Sequence, residues 1–482
     1  MFWRGVWGYL PANLVQGVVG VLSIVVFTRL LTPEQYGVYA LGFSAMTVAH
    51  TLVFTWMEAA MARFFPAEQA RGGLPGHFAT LYRAFLWISL AFLPLSALAV
   101  WLWPAGDALK IAVGSGLAAI VARSLVRLVQ ERRRAAGEVA SASALDMGQT
   151  AGGFALGAVL ALLGFGGAGP LLGLALAALV CLPPALPREL RWLKGGRFEA
   201  DRLKGYAAYG LPLSASLILA LALGTADRFL IAAFLDAGSV GAYHAAYSLS
   251  NRTLDVIFVW LGAAGGPALV MALEHGGRDA LKRAAEEQAS TILLVALPAA
   301  VGVALVARPL AELMVGEGMR EAVAGVTPWI AFAALFAGAT TYYFHQAFTL
   351  ARRTPLLLAA MAFPAAANLI LNLVLIPRFG LIGAAWAATA GYAVGLVASW
   401  ALGKRAGGLP TPWTTLGKCG LASAAMAAAV VAVPAVGGAL ELAAKAAVGA
   451  SVYGAVAWIL DAAGVRTHTS RLLKSFRAGR TA

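Results

Sequence analysis

Five polar residues recur at intervals of three and four inside an otherwise apolar stretch: His244, Ser248, Asn251, Arg252 and Asp255. On a helix this spacing stacks them along one face. A charge at the centre of a membrane-spanning helix costs about 2.5–3.5 kcal/mol on insertion scales. Such a face therefore turns towards another polar helix or towards water. Arg252 and Asp255 stand three apart, a spacing that suits either an ion pair locking two helices together or two groups lining a cavity. A second stripe has the same period: Ser44, Thr47, Thr51, Thr55 and Glu58. Serine and threonine readily bond their own helix backbone, so Glu58 carries most of the weight, with Arg63 one turn on as a purely structural partner.

Asp227 and Arg228 lie well inside an apolar run. Neighbours on a helix point about 100° apart, so they do not face each other. A guanidinium in a dry cavity stays charged and grips phosphate oxygens in bidentate fashion. A carboxylate there can exchange a proton or hold sodium. Bonding between helices is the plain alternative for both. Asn368 and Asn372 share one helical face, where interhelical glue competes with ligand contact. Tyr342 and Tyr343 follow Thr340 and Thr341, as platforms for sugar rings or as core packing. No zinc signature, nucleophile elbow or glycine-rich phosphate loop is present in the sequence. No catalytic residue and no metal site are expected.

The elements that must position these residues are membrane helices. Hydrophobic residues make up 60% of the 482 and charged ones 12%. Runs such as Leu14–Phe27 and Leu356–Ile376 approach the roughly 20 apolar residues that cross a hydrocarbon core of about 30 Å. The pattern predicts an all-α polytopic membrane protein with fourteen helices: 11–31, 37–62, 79–103, 108–130, 144–166, 168–187, 206–235, 240–271, 288–307, 325–350, 355–377, 380–402, 413–436 and 440–461. Arg4 precedes an apolar stretch reaching Leu31 without an Ala-x-Ala-like cleavage site, so the first helix is expected to be retained. Cys181 and Cys419 lie in or beside apolar segments and suggest no disulfide framework. The net charge of +14 sits in the links. With both termini inside, the outer side takes only Arg29, Lys110, Arg308, Arg320, Arg378 and Lys445 of the 36 Lys and Arg, a positive-inside pattern. The basic excess thus sets topology and faces anionic lipid; nucleic acid is not an expected partner.

The chain also repeats itself. Gly8-Tyr9-Leu10-Pro11 parallels Tyr209-Gly210-Leu211-Pro212, and Leu31-Thr32-Pro33-Glu34-Gln35-Tyr36-Gly37-Val38-Tyr39-Ala40 lies over Leu235-Asp236-Ala237-Gly238-Ser239-Val240-Gly241-Ala242-Tyr243-His244. In that register Ser44 falls on Ser248, Thr47 on Asn251 and Thr51 on Asp255. The expected organisation is an N-terminal lobe at 1–187, a cytoplasmic linker at 188–205, a C-terminal lobe at 206–402, and two accessory helices with a basic tail at 403–482. Carriers with such repeats place cargo between pseudo-symmetric lobes and rock them for alternating access.

Three stretches resemble the polysaccharide transporter, or oligosaccharide flippase, family of the multidrug/oligosaccharidyl-lipid/polysaccharide exporter superfamily. They are Phe27-Thr28-Arg29-Leu30-Leu31-Thr32-Pro33-Glu34-Gln35-Tyr36-Gly37; Ala226-Asp227-Arg228-Phe229-Leu230-Ile231 with Gly241-Ala242-Tyr243 and Tyr247-Ser248; and Asn368-Leu369-Ile370-Leu371-Asn372-Leu373-Val374-Leu375-Ile376-Pro377-Arg378-Phe379-Gly380 with Gly383-Ala384-Ala385. The resemblance covers residues 8–400. It implies two six-helix lobes around a central cavity, with the undecaprenyl-diphosphate-linked oligosaccharide of a surface polysaccharide, such as the O-antigen of lipopolysaccharide, carried to the outer leaflet of a bacterial inner membrane. No cofactor is expected beyond coupling to H+ or Na+. The partners are lipid-linked oligosaccharide, membrane lipid and polysaccharide-assembly proteins.

Taken together, the expected substrate contacts are Arg228, Arg252, Asn251, Ser248, Tyr342, Asn368 and Asn372, and the expected ion-coupling groups are Asp227, Glu58 and Asp255. A cation-coupled multidrug antiporter on the same scaffold and a membrane-embedded polysaccharide glycosyltransferase or polymerase are the rivals; the lack of a large outer loop disfavours the last. Arg228→Ala or Arg252→Ala is expected to abolish polysaccharide export at normal protein level, with Arg→Lys restoring only part because the bidentate grip is lost. Export retained in both alanine variants removes the phosphate-gripping role.

Overall fold

The computed structural model describes residues 2–467, and of these the side chains of all but 2–10, 219, 220, 222, 223 and 354. The side chain of Arg4, and Arg471, Lys474, Arg477 and Arg480 of the basic tail, lie outside the described residues. Among the described residues the secondary structure is helical and no strand is present. Nine stretches of the described residues are long and apolar enough to cross a membrane, or ten when a bent pair is counted as one span. The chain is an all-α, multi-pass membrane protein. Val139–Arg191, Ala237–Leu305 and Pro355–Arg405 are each 51 residues or longer. At about 1.5 Å per residue each exceeds twice the thickness of the hydrocarbon core, and each is interrupted by a backbone break.

Two compact units divide the chain, 1–244 and 245–482. The first holds α1 (Phe2–Leu30), α2 (Pro33–Val53), α3 (Thr55–Ala70), α4 (Leu74–Leu102), α5 (Asp107–Ala135), α6 (Val139–Leu160), α7 (Gly169–Arg191) and α8 (Ala200–Phe234). Its α5 packs on α2, α3 and α7, and α8 packs on α2, α3 and α4. At the end of α5, Glu189 of α7 is fully buried and bonded by Arg132, whose Nε lies 2.8 Å from it, with Arg133 behind. The Pro187–Lys204 linker is clamped to this unit. Arg202 donates to Glu68 at 2.5 Å and to Glu199 at 2.6 Å, and the Glu199 amide donates to Thr80 Oγ1.

The second unit holds most of α9 (Ala237–Leu305), then α10 (Ala307–Met314), α11 (Arg320–Ala339), α12 (His345–Leu350), α13 (Thr354–Arg405), α14 (Trp413–Val431) and α15 (Gly438–Ile459). The breaks in α9 and α13 fall at Gly277 (φ 64°) and Gly380 (φ 60°), a left-handed conformation that costs a side-chain-bearing residue about 1 kcal/mol or more. The short α10 lies between the predicted helices 288–307 and 325–350. Its Glu312 accepts from the Gly438 amide at 2.9 Å; that bond, with Arg308 beside it, holds the carboxyl below its ordinary range.

Three sequence expectations need correction. Helix 37–62 is broken at Phe54, where α2 and α3 diverge by 47°. Phe54 is buried against Phe85 and Phe92, and the His50–Glu58 contact (2.8 Å) spans the bend. Glu58 therefore pairs with His50, not with Arg63. The inner link expected between 271 and 288 is helical on both sides of Gly277, because Ala, Leu, Glu, Lys and Arg dominate it and favour helix.

The repeat has a structural meaning. Thr32 caps α2: its hydroxyl accepts from the Gln35 amide at 3.3 Å while Gln35 Oε1 accepts from the Thr32 amide at 3.2 Å, a capping box with proline at the first helical position. In the aligned copy Asp236 caps α9 by accepting from the Ser239 amide at 2.7 Å. The matching Gly37 and Gly241 lie against each other, and a Cβ on Gly37 would strike the Ala237 carbonyl. Gly37→Val is expected to destabilise the purified protein by about 1–3 kcal/mol through overpacking, lowering its melting temperature in detergent. Gly17, with open space around it, is expected to accept alanine without loss.

Candidate functional site

One wall of the second unit has two chemically different faces. It is built from α11 and a five-residue π-helical turn, Thr340–Phe344, that leads into α12. The wider turn is a device common at functional sites. Here it sends Thr341 and Tyr342 to one side and Tyr343 and Phe344 to the other. The first side faces a cavity of about 220 Å³, completed by Tyr247, Asn251 and Asp255 of α9 and Tyr392 of α13. The second side faces a wholly apolar groove of about 410 Å³, completed by Leu293 and Leu297 of α9, Trp400 of α13 and Trp413 of α14. Tyr343 is anchored there by donating to the Pro410 carbonyl at 2.5 Å.

Glycine makes the cavity wall possible. Tyr342 stacks on Phe258 with ring centroids 5.9 Å apart and planes 15° apart. A Cβ on Gly338 would enter the Phe258 ring, and one on Gly262 the Tyr342 ring. The Tyr342 carbonyl accepts from Gln288 at 3.3 Å and Gln346 at 3.4 Å. The ring is thus a fixed plate at the edge of the cavity. Thr340, one residue earlier, bonds the Phe336 carbonyl at 2.7 Å, whereas Thr341 is exposed and bonds nothing in the protein.

The predicted site residues divide into three groups. Asn251, Asp255 and Tyr342 are brought together in the cavity. Arg252 lies on a neighbouring exposed face of α9 and forms no ion pair with Asp255, and Ser248 is half-buried outside the lining. Asn368 and Asn372 are buried, and Asn372 Nδ2 donates to Asn368 Oδ1 at 3.0 Å, while Gly391 on the other half of α13 packs on Asn368. In the first unit, Asp227 is 1% exposed and accepts from the Tyr243 hydroxyl at 2.7 Å. Arg228 is buried and donates to the Gly224 carbonyl of its own helix at 2.7 Å. Glu58 is held by His50, and Thr47 and Thr51 bond carbonyls of their own helix. Sequence reading missed Tyr392, named Thr341 among the polar residues beside Tyr342, and named Tyr247 only within the family resemblance; the cavity brings them together. Among the described residues no group of three or more metal-ligating side chains gathers.

The fold is that of a helical, multi-pass membrane protein with a two-faced wall in its second unit. The chain belongs to the family described as polysaccharide biosynthesis protein, whose model matches residues 26–324. No curated protein matches the chain by sequence. Among solved structures, the lipid II flippase MurJ in an inward closed conformation superposes with a TM-score of 0.79 at 12% identity, covering 94% of this chain and 98% of that one. An inward-facing multidrug resistance transporter of the MATE family in the MOP superfamily matches at 0.62 and 16% identity, over 81% and 94%. The Vibrio cholerae MATE transporter VcmN, in its bent form, matches at 0.51 and 17% identity, over 84% and 97%. At these identities the likeness is one of fold. The family is one of polysaccharide biosynthesis, and the fold is shared with solved membrane transporters and a flippase.

Cysteine placed at 251, 255 or 341 in a background lacking Cys181 and Cys419 is expected to react with a small water-soluble maleimide. Cysteine at 368 or 372 is expected to stay protected. Equal labelling at all five positions would contradict the division between cavity and buried pair.

Proposed function

We propose that this protein moves a lipid-linked oligosaccharide, carried on undecaprenyl diphosphate, from the inner to the outer leaflet of a bacterial inner membrane for surface-polysaccharide assembly. The observation that carries this reading is the α11 wall. A polar, aromatic cavity on one side suits a saccharide head, and an apolar groove on the other suits a hydrocarbon tail. A cargo of this kind needs both chemistries within a few ångströms, since its tail stays in oil while its head must not. Membership of the polysaccharide biosynthesis family supports it.

The reading extends the sequence expectations as proposals. Fourteen crossings, with both termini cytoplasmic, form lobes at 1–187 and 206–402 joined by the 188–205 linker, followed by accessory helices at 403–482; the lobes alternate access. Arg228 and Arg252 meet the diphosphate, and Asn368 and Asn372 support the cargo path. Asp227 and the His50–Glu58 pair couple transport to H+ or Na+: protonating either carboxylate removes the charge that holds its partner and frees the helices it ties together. A second reading, an organic-cation antiporter, draws on the same cavity, where a carboxylate lies among tyrosines; cations bind such aromatic, anionic surroundings.

A flipping assay on purified protein in vesicles decides between them. The expected result is transfer of a fluorescent polyprenyl-diphosphate oligosaccharide across the bilayer, reduced about ten-fold or more by Leu297→Lys in the groove and by Tyr342→Ala in the cavity. Neither substitution should unfold the protein. Transport of a lipophilic cation without lipid-linked sugar establishes the second reading instead.

A further inference from the structure

We infer that the second unit's polar cavity seats a single non-acidic sugar ring of the cargo, and that Asp255 excludes rings bearing a carboxylate. This rests on the lipid-linked oligosaccharide reading and goes beyond it by assigning the class of sugar.

The polar lining is unspent. Asn251 and Asp255 stand four apart on one face of α9, a spacing that brings their side chains side by side. Neither makes a hydrogen bond or ion pair within the protein, and the same holds for the Thr341 hydroxyl and the Tyr342 phenol. Some such groups elsewhere in this unit find partners: Thr327 bonds the Val323 carbonyl at 2.7 Å, Thr389 bonds Ala385 and Trp329 at 2.8 Å, and Asn372 bonds Asn368; the unpartnered hydroxyls of Ser399, Thr411 and Ser423 are scattered rather than gathered on the polar cavity. Polar groups inside a membrane protein are costly when left unpaired. Asn251 and Tyr342 are half-buried and Asp255 and Thr341 exposed, so four polar groups converge on one open space where their bonds are completed by water or by a ligand.

The donor and acceptor set specifies what completes them. An ionised Asp only accepts, Asn both donates and accepts, and the hydroxyls of Thr and Tyr do either. Adjacent ring hydroxyls match a carboxylate and a carboxamide held side by side. The face of a pyranose carries C–H groups, which rest on an aromatic plate such as Tyr342, fixed against Phe258. The cavity, about 220 Å³, falls below the about 300–1,000 Å³ of sites for drug-sized ligands, so it has room for one ring, with the rest of a chain left outside. No Lys, Arg or His belongs to the lining; Arg252, outside it, attracts Asp255 from beyond ion-pair contact. A uronic acid would place its carboxylate beside Asp255 with no cation in the lining between them, and that repulsion discriminates against it. The same geometry reassigns Asp255 from ion coupling to reading the cargo.

The test uses full-length protein in vesicles with two cargoes, polyprenyl diphosphate bearing N-acetylglucosamine and the same lipid bearing glucuronic acid. The wild type is expected to flip the neutral cargo at least about ten-fold faster. Asp255→Asn, nearly the same in shape, is expected to bring the two rates to within about three-fold, mainly by raising the acidic one. Thr341→Val is expected to slow both cargoes while keeping the preference. Equal wild-type rates, or a preference that survives Asp255→Asn, overturn the inference and leave the transport reading standing. If neither cargo flips, the transport reading falls and this inference falls with it.

Discussion

In hydrocarbon no water completes a hydrogen bond, so every polar group that enters the bilayer must find its partner inside the protein. That constraint sorts the polar residues of this chain. Some are spent on holding the fold together: Glu189 between two arginines, Asp227 under the Tyr243 hydroxyl, Asn372 on Asn368, His50 on Glu58. Asn251, Asp255, Thr341 and Tyr342 are not spent, and they converge on one cavity. The contrast, more than polarity itself, separates structural glue from polar groups left open on a cavity.

The same economy explains the small residues. Helices in a membrane gain nothing from hiding apolar side chains from lipid, so they associate through close backbone approach. Gly37 and Gly241 meet where the two copies of the repeat start their helices, and each copy is capped by its own residue, Thr32 or Asp236. The motif that carries the family resemblance is therefore a helix-start signal followed by a tight crossing. Gly338 and Gly262 use the same principle locally, letting Phe258 and Tyr342 stack as a rigid plate.

Much of this was legible beforehand. The apolar runs, the polar turns before the second and eighth predicted helices, and the shared face of Asn251 and Asp255 follow from local rules of length, turn chemistry and helical period; the helices themselves start at Pro33 and Ala237, a few residues before the predicted 37 and 240. The bend at Phe54 was not legible, because it depends on Phe85 and Phe92, some thirty residues or more away in sequence. Nor was the fate of Arg252: the one-residue step from Asn251 turns it by about 100°, yet only neighbouring helices decide which of those directions is lined and which is open. Thr47 and Thr51 satisfy the periodicity of a cavity wall while bonding their own backbone, so their spacing overstated their role.

By itself the sequence determined that this chain crosses the membrane many times and that its two copies share a polar, glycine-bearing turn before a helix. Those properties depend on residues within a few turns of one another. Only the tertiary structure decided which polar side chains are partnered and how the π-helical turn after α11 divides a polar cavity from an apolar groove. The physical reason is that a hydrogen-bond partner is set by distance in space: Tyr392 stands far from Asn251 along the chain, and only the packed helices bring both to one cavity.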